Sequence, residues 1–295
     1  MRRLWIVALI VALLAAGCAS PTATPAPESG ATEVPPPTAS EAAGESAPEA
    51  GQISVAGSTT VQPLAQLLGE AFTAQNPDVK IDVQGGGSSV GVKSAGQGAA
   101  DIGMASREIK DSELEEYADL NIFVIAYDGI AAVVHPDVPV DDLTLEQVRD
   151  VFAGKITNWS ELGGPDELIV VVAREEGSGT RAAFEELVMG DELIADTALL
   201  QSSNGAVRTT VSTTPFSMGF LSFGYLDESV KALSVDGVEP TIPNVKAGSY
   251  SVFRPLNMVT IGAPEGVEGM AGLDPDRSRA GHRGRRGLYQ HSRWR

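Results

Sequence analysis

Three short segments combine glycine with side-chain hydroxyls: Gly57-Ser58-Thr59-Thr60, Gly85-Gly86-Gly87-Ser88-Ser89 and Gly177-Ser178-Gly179-Thr180. Glycine lets backbone N–H groups approach a ligand closely, and Ser and Thr add O–H donors. Arg174 precedes the third segment in "VAREEGSGTRAAF", and a second arginine, Arg107, follows Ser106 in "ASREIK". Amides, hydroxyls and a guanidinium fork are the donors that a small oxyanion requires. One such loop reads as ordinary helix capping, where Ser and Thr are favoured. Three of them, with two arginines beside them, point to an oxyanion site. The alternative for Arg174 is a surface ion pair with Glu175 or Glu176, a weak and common arrangement. Its place between a strand end and a helix start favours the clamp. Arg181 and Arg208 read as surface residues and Trp159 as a packing residue. Asn204 in "SSNGAV" either orients the site or makes a turn.

The elements that must hold these loops are legible from hydrophobic period. "QISVAG" alternates Ile53 and Val55, and "VQPLAQLLGEAF" spaces Val61, Leu64, Leu68 and Phe72 as a helix. "DVKIDV" alternates again, and "IFVIAY" and "IAAVV" read as two short buried strands. "TLEQVRDVF" carries a capping box, Thr144 with Gln147, ahead of an apolar stripe. "LIVVVA" reads as a strand and "RAAFEELVM" as a helix. Strand, loop and helix recur, which predicts an α/β fold with a largely parallel sheet. In such sheets ligands sit beyond the carboxyl ends of the strands, where the helices begin.

The chain has 295 residues, 43% apolar and 20% charged, with a formal net charge of −18. So acidic a chain is unsuited to nucleic acid or to nonspecific attachment to an anionic membrane. Catalysis is also poorly supplied. A serine nucleophile at Ser58, Ser88 or Ser178 needs a base. The three histidines are His135, in a loop-like context, and His282 and His291, near the C-terminus. "EGSGT" lacks the nucleophile-elbow spacing, and there is no Walker sequence, no H-E-x-x-H and no cysteine cluster. No cofactor and no metal are expected. A secreted phosphoester hydrolase is the competing enzyme reading. An adhesion or scaffold protein is a third class, but it leaves the three donor loops unexplained.

Residues 1–17 have a secretory layout: Arg2 and Arg3, then an apolar run from Leu4 to Ala16, too short to span a bilayer comfortably. The run ends in "LAAGC", which resembles a bacterial lipobox with Cys18, the sole cysteine, as the lipid-bearing residue. Residues 18–50 lack Leu, Ile, Phe, Tyr and Trp and read as an acidic, proline-rich tether. At the other end, residues 271–295 hold seven arginines against two aspartates, a net +5, whereas the preceding residues carry 14 basic and 37 acidic side chains, net −23. A reading-frame shift near Gly269–Leu273 accounts for this break in composition; the alternative is a native basic tail that meets an anionic partner such as lipid headgroups.

Taken together, "AGSTTVQPL", "GGGSSVGVKSAGQGAADIGMASREI", "VFAGKITNWSELGG", "REEGSGTRAAFEEL" and "SNGAVRTTVSTTPFSMGFLSFGYLD" resemble, in order, the phosphate-binding proteins of phosphate ABC transporters. The resemblance runs from about Gln52 to Gly262. It implies a two-lobed periplasmic-binding-protein fold within residues 51–270, each lobe a mostly parallel sheet flanked by helices, with ligand in the cleft between them. Lobe one is expected at 52–130 plus 240–270 and lobe two at 131–239. The implied ligand is inorganic phosphate, passed to ABC permease subunits outside the cytoplasm by a protein that meets the membrane through its lipid alone. Carried over residue by residue, the family's contacts fall on Ser58, Thr59, Thr60, Ser88, Ser106, Arg107, Arg174, Ser178, Gly179 and Thr180. The family is also acidic at Glu176, where the acid steadies the arginine. One departure bears on selectivity. Well-studied members carry an aspartate that accepts a hydrogen bond from protonated phosphate, which discriminates against sulfate. Arg107 stands at that position here. Glu108, Glu176, Asp128 and Asp101 are candidates for the role. The alternatives are a turn cap for Asp101 and a lysine partner for Asp128. Another tetrahedral oxyanion such as sulfate stays open as the ligand.

Overall fold

The computed structural model describes residues 51–262; the leader, Cys18, the tether and the arginine-rich tail lie outside the described residues. The alternating start of the domain forms strand β1 (Gln52–Gly57), and the helical spacing after it forms α1 (Gln62–Gln75), entered through Pro63 in its first turn. Then follow β2 (Lys80–Gly85), α2 (Ser88–Gly96), β3 (Ile102–Ala105), α3 (Asp111–Glu116) and β4 (Leu120–Val134). The second region comprises β5 (Asp142–Leu143), α4 (Leu145–Phe152), β6 (Val170–Arg174), α5 (Gly179–Phe184), β7 (Leu199–Gln201), α6 (Asn204–Thr213) and β8 (Ser217–Ser222). Two short strands, β9 (Lys231–Ala232) and β10 (Ser234–Val235), precede α7 (Ile242–Ala247) and β11 (Phe253–Ile261). The capping box read from sequence is present: the Thr144 hydroxyl accepts from Gln147 N, and the Gln147 side chain accepts from Thr144 N. Among the described residues no helix is long and apolar enough to cross a membrane.

The strands run in the order β2-β1-β3-β11-β4-β8-β6-β7, with β9 added beside β4. Both outer groups are parallel, β2-β1-β3 at one end and β8-β6-β7 at the other. The central strands β11 and β4 run antiparallel to their neighbours. This makes a two-lobed molecule with one strand in common. The two short strands read at "IFVIAY" and "IAAVV" are in fact the single 15-residue β4. Asp128 and Gly129, which lie between the two runs, are part of the same strand. The chain runs through them, and a Cβ at Gly129 would collide with the Phe223 ring, so the glycine allows close packing. From Leu120 to Gly129 the strand pairs with β11, and from Ile130 onward with β8.

Each half has its own core. Val55, Ile102, Met104, Leu256 and Met258 pack under α1 in the first. The second gathers Phe152, Phe184 and Phe220, with the last two rings stacked at 4.1 Å, together with fully buried Trp159, whose indole N–H donates to Phe216 O at 2.8 Å. Residues 240–252, expected with the first lobe, pack with the second. Val245, Tyr250 and Val252 join the second core, and the Tyr250 hydroxyl donates to Ile130 O at 2.8 Å. Apolar contact outweighs nearness in sequence to β11 there. Among the described residues the chain therefore passes between the halves twice, at Gly129–Ile130 and at Val252–Phe253.

Candidate functional site

The parallel strands of both halves end facing one another, and the loops that follow them meet. From the first half come the β1–α1 loop with Ser58, Thr59 and Thr60, the start of α2 with Ser88, and Ser106 beyond β3. From the second come Arg174 at the end of β6, Ser178, Gly179 and Thr180 at the start of α5, and Asn204 at the start of α6. All of these except Thr59, which is half-buried, are buried. Their polar atoms are not isolated. The Thr60 and Thr180 hydroxyls lie 3.0 Å apart across the junction, and Asn204 Nδ2 donates to Thr60 Oγ1 at 2.8 Å. Tyr225 donates its phenol proton to Thr59 O at 2.7 Å, and Ser89 N donates to Gly177 O at 3.1 Å. A side chain at Gly179 would collide with Ser88 and Ser106, so only glycine lets the start of α5 close on α2.

The hydroxyls divide by what they already do. Ser58 is largely committed: it donates to Ser106 Oγ at 2.8 Å and accepts from Thr60 N and Val61 N. Ser106 and Ser88 hold each other through Ser106 N to Ser88 Oγ at 3.0 Å. Ser178 caps α5 by accepting from Arg181 N at 3.2 Å, which leaves its proton available to an acceptor. Asn204 accepts from Ser222 N as well as donating to Thr60, so it orients the junction as well as starting α6.

Arg174 is the central charge. It is 2% exposed, donates from Nε to Gln201 O and from Nη2 to Ser202 O, and reaches Thr59 Oγ1 at 3.5 Å. Its contacts are carbonyls and a hydroxyl. Burial, reinforced by the charge of Arg254, pulls its pKa down to about 10, still far above neutral pH. The guanidinium is thus a buried cation held by dipoles, which is costly without an anion. Arg254 was missed in the sequence. It is 3% exposed, ion-paired to Asp128 at 2.8 Å, and its Nη2 lies 3.4 Å from Thr60 Oγ1. The signal was available: Arg254 is the one charge in the apolar stretch "VFRPLNMVT", as Asp128 is in "IFVIAYDGIAAVV". Asp128 therefore meets an arginine where a lysine was considered. Tyr225, also missed, has its phenol pKa raised by burial.

Two expected residues do not join the cluster through their side chains. Arg107 is buried, but its fork closes on Glu113 with Nη1 and Nη2 at 2.8 and 2.7 Å, and also donates to Glu108 O and Ser89 Oγ. It stands as a brace with its own carboxylate. Burial would raise the Glu113 pKa, yet the bonds from Arg107 and Lys110 N hold it below the ordinary value. Glu176 is exposed on the loop before α5, outside the buried cluster. Asp101 accepts from Ser54 N and Oγ at 2.7 Å, a structural link at the far end of the sheet. Arg181 pairs with Glu185 and Arg208 with Asp227. Of the three buried guanidiniums, Arg107 and Arg254 each bond a carboxylate, Glu113 and Asp128, whereas Arg174 bonds none among the described residues and feels the charge of exposed Glu175 only through space.

A two-lobed sheet with donor loops meeting at its midpoint defines a clamp-type solute receptor. The family model for the PBP superfamily domain matches residues 42–273. The "Phosphate-binding protein PstS" of Bacillus subtilis is 36% identical over 218 residues, 74% of this chain and 72% of that protein. Among solved structures, a candidate phosphate ABC transporter substrate-binding protein from Clostridium perfringens with bound phosphate is 43% identical, with a TM-score of 0.71 over 74% of this chain and 91% of that one. An ABC-type phosphate transport receptor from Vibrio cholerae is 36% identical, with a TM-score of 0.63 over 76% and 95%. The chain belongs to the PBP superfamily and, within it, to the family of PstS phosphate-binding proteins.

Proposed function

We propose that this protein captures inorganic phosphate outside the cytoplasm and delivers it to the permease of an ABC transporter, tethered to the membrane by a lipid on Cys18. The observation that carries the reading is the convergence of donors from both halves of the sheet on one buried junction where Arg174 is hydrogen-bonded to neutral dipoles. A buried charge without a bonded counter-charge is costly, and a negative guest offsets that cost. It is a binding protein and not an enzyme, as its family is one of binding proteins. The ligand contacts are Thr59, Thr60, Ser88, Ser106, Arg174, Ser178, the Gly179 amide and Thr180; Ser58 holds Ser106 in place. The lobes are residues 52–129 with β11, and residues 130–252. The two crossings at Gly129–Ile130 and Val252–Phe253 act as the hinge, and ligand stabilises the closed form because only there do both donor sets reach it.

Thermal denaturation and calorimetric titration of the purified protein test this. Phosphate at about 100 times Kd should add about 2.7 kcal/mol of stability and remain unconsumed. Sulfate binding of equal strength overturns the phosphate assignment while keeping the receptor, and turnover of a generic phosphoester overturns the class. For the anchor, mass analysis of the mature N-terminus should find a diacylglyceryl group on Cys18, and Cys18→Ser should release the protein from membranes.

A further inference from the structure

We propose that Arg254 is a second oxyanion-binding arginine of the cleft, held in place by Asp128 and directed at the same guest as Arg174. The inference rests on the oxyanion-receptor reading above and adds to it the residue that supplies charge from the first half of the sheet.

Arg254 is the one charged residue in β11. In the antiparallel register its strand partner is Asp128 on β4, and the two side chains meet at 2.8 Å. Such an arrangement by itself is a structural ion pair. Three observations take it further. First, the pair lies beside the junction: the Arg254 Nη2 that meets Asp128 is also 3.4 Å from Thr60 Oγ1, and Thr60 is the hydroxyl that touches Thr180 and Asn204 from the other half. Second, Arg254 Nε and Nη1 are buried and have no acceptor in the described protein. These nitrogens carry three N–H donors, and leaving buried donors unpaired is strongly unfavourable, so natural cores supply an acceptor. Third, Arg254 and Arg174 are close enough for the charge of one to act on the other, although they come from opposite halves. Asp128 offsets one of the two guanidiniums, and the contacts of Arg174 are carbonyls and a hydroxyl. An anion with several oxygens satisfies the open donors of Arg254 and the charge of Arg174 together. Arg254 then reaches the guest from β11 while Arg174 reaches it from β6, so closing the cleft brings both cations onto one ligand. Asp128 acts through Arg254 as a positioning residue.

Phosphate titration by calorimetry and thermal denaturation without phosphate separate this role from a structural one. Arg254→Met strands Asp128 and should lose both stability and affinity. The double variant Arg254→Met/Asp128→Asn removes the stranded charge and should regain melting temperature, yet bind phosphate at least thirty-fold more weakly than the parent. Arg254→Lys keeps the charge opposite Asp128 and removes the fork; it should fold and bind at least ten-fold more weakly. Either of the last two binding within three-fold of the parent overturns the proposal. A parent that binds phosphate alongside such a variant leaves the receptor reading standing, whereas a parent that binds no tetrahedral oxyanion overturns both.

Discussion

Two turns of this molecule share one plan. β3 ends and Arg107 follows; β6 ends in Arg174; each arginine is buried, at 3% and 2% exposure. Yet Arg107 looks across at Glu113 and receives a bidentate carboxylate, while Arg174 looks at Gln201 O, Ser202 O and Thr59. The first cation is neutralised within the protein and braces a lobe. The second is hydrogen-bonded to neutral dipoles at the meeting of the two halves, and the charge of Glu175 acts on it only from the exposed loop, without a bond. The difference teaches that the residue type and the strand-end position do not make an anion site. The decisive question is whether the protein has already supplied the counter-charge.

The largest expected effect breaks this contrast at its functional end. Arg174→Met should weaken phosphate binding by about 3 kcal/mol, roughly 100-fold by calorimetry, if the lost cation contacts the guest as proposed. At the structural end, Arg107→Met strands Glu113 and should cost about 2 kcal/mol of stability, a fall in melting temperature of roughly 4–8 °C, with phosphate affinity within about five-fold of the parent. Arg107→Met weakening binding as much as Arg174→Met would erase the contrast. Next, Gly179→Ala places a methyl against Ser88 and Ser106 and should hinder closure, weakening phosphate by about ten-fold while the ligand-free melting temperature stays near the parent's. A smaller effect follows from Tyr225→Phe, which removes the bond to Thr59 O and should cost about 1 kcal/mol in denaturant unfolding.

The smallest concerns pH. The Glu113 pKa is lowered in the folded state from its ordinary 4.5, so its contribution is fully present above that value and is lost as pH falls through the lower, folded one. Melting curves from pH 6 down to pH 3 should show the parent's advantage over Glu113→Gln shrinking below about pH 4.5. An advantage independent of pH would mean the brace is not ionic.

Much of the site was legible because its logic is local. A glycine beside a hydroxyl at a strand end states its chemistry in a few residues: Thr60 and Thr180 lie against each other, and Gly179 lies against Ser88. What escaped depends on partners that the local pattern does not name. Nothing near Arg107 announces that Glu113, across a turn, will take its fork. Asp128 and Arg254 are 126 residues apart and meet through strand register. The two runs read as separate strands are joined through Gly129, which accommodates the Phe223 ring from another segment. The lobe boundary near residue 240 failed for the same reason, since Tyr250 and Val252 follow the core they can bury in.

A crystal structure grown with phosphate tests the central claim most directly. The account expects one phosphate whose oxygens lie within hydrogen-bond distance of Arg174 and Thr180 from one half and of Ser88 or Thr60 from the other, with the Arg107–Glu113 pair intact. Phosphate bound by one half alone, or seated on Arg107 with Glu113 displaced, would contradict it.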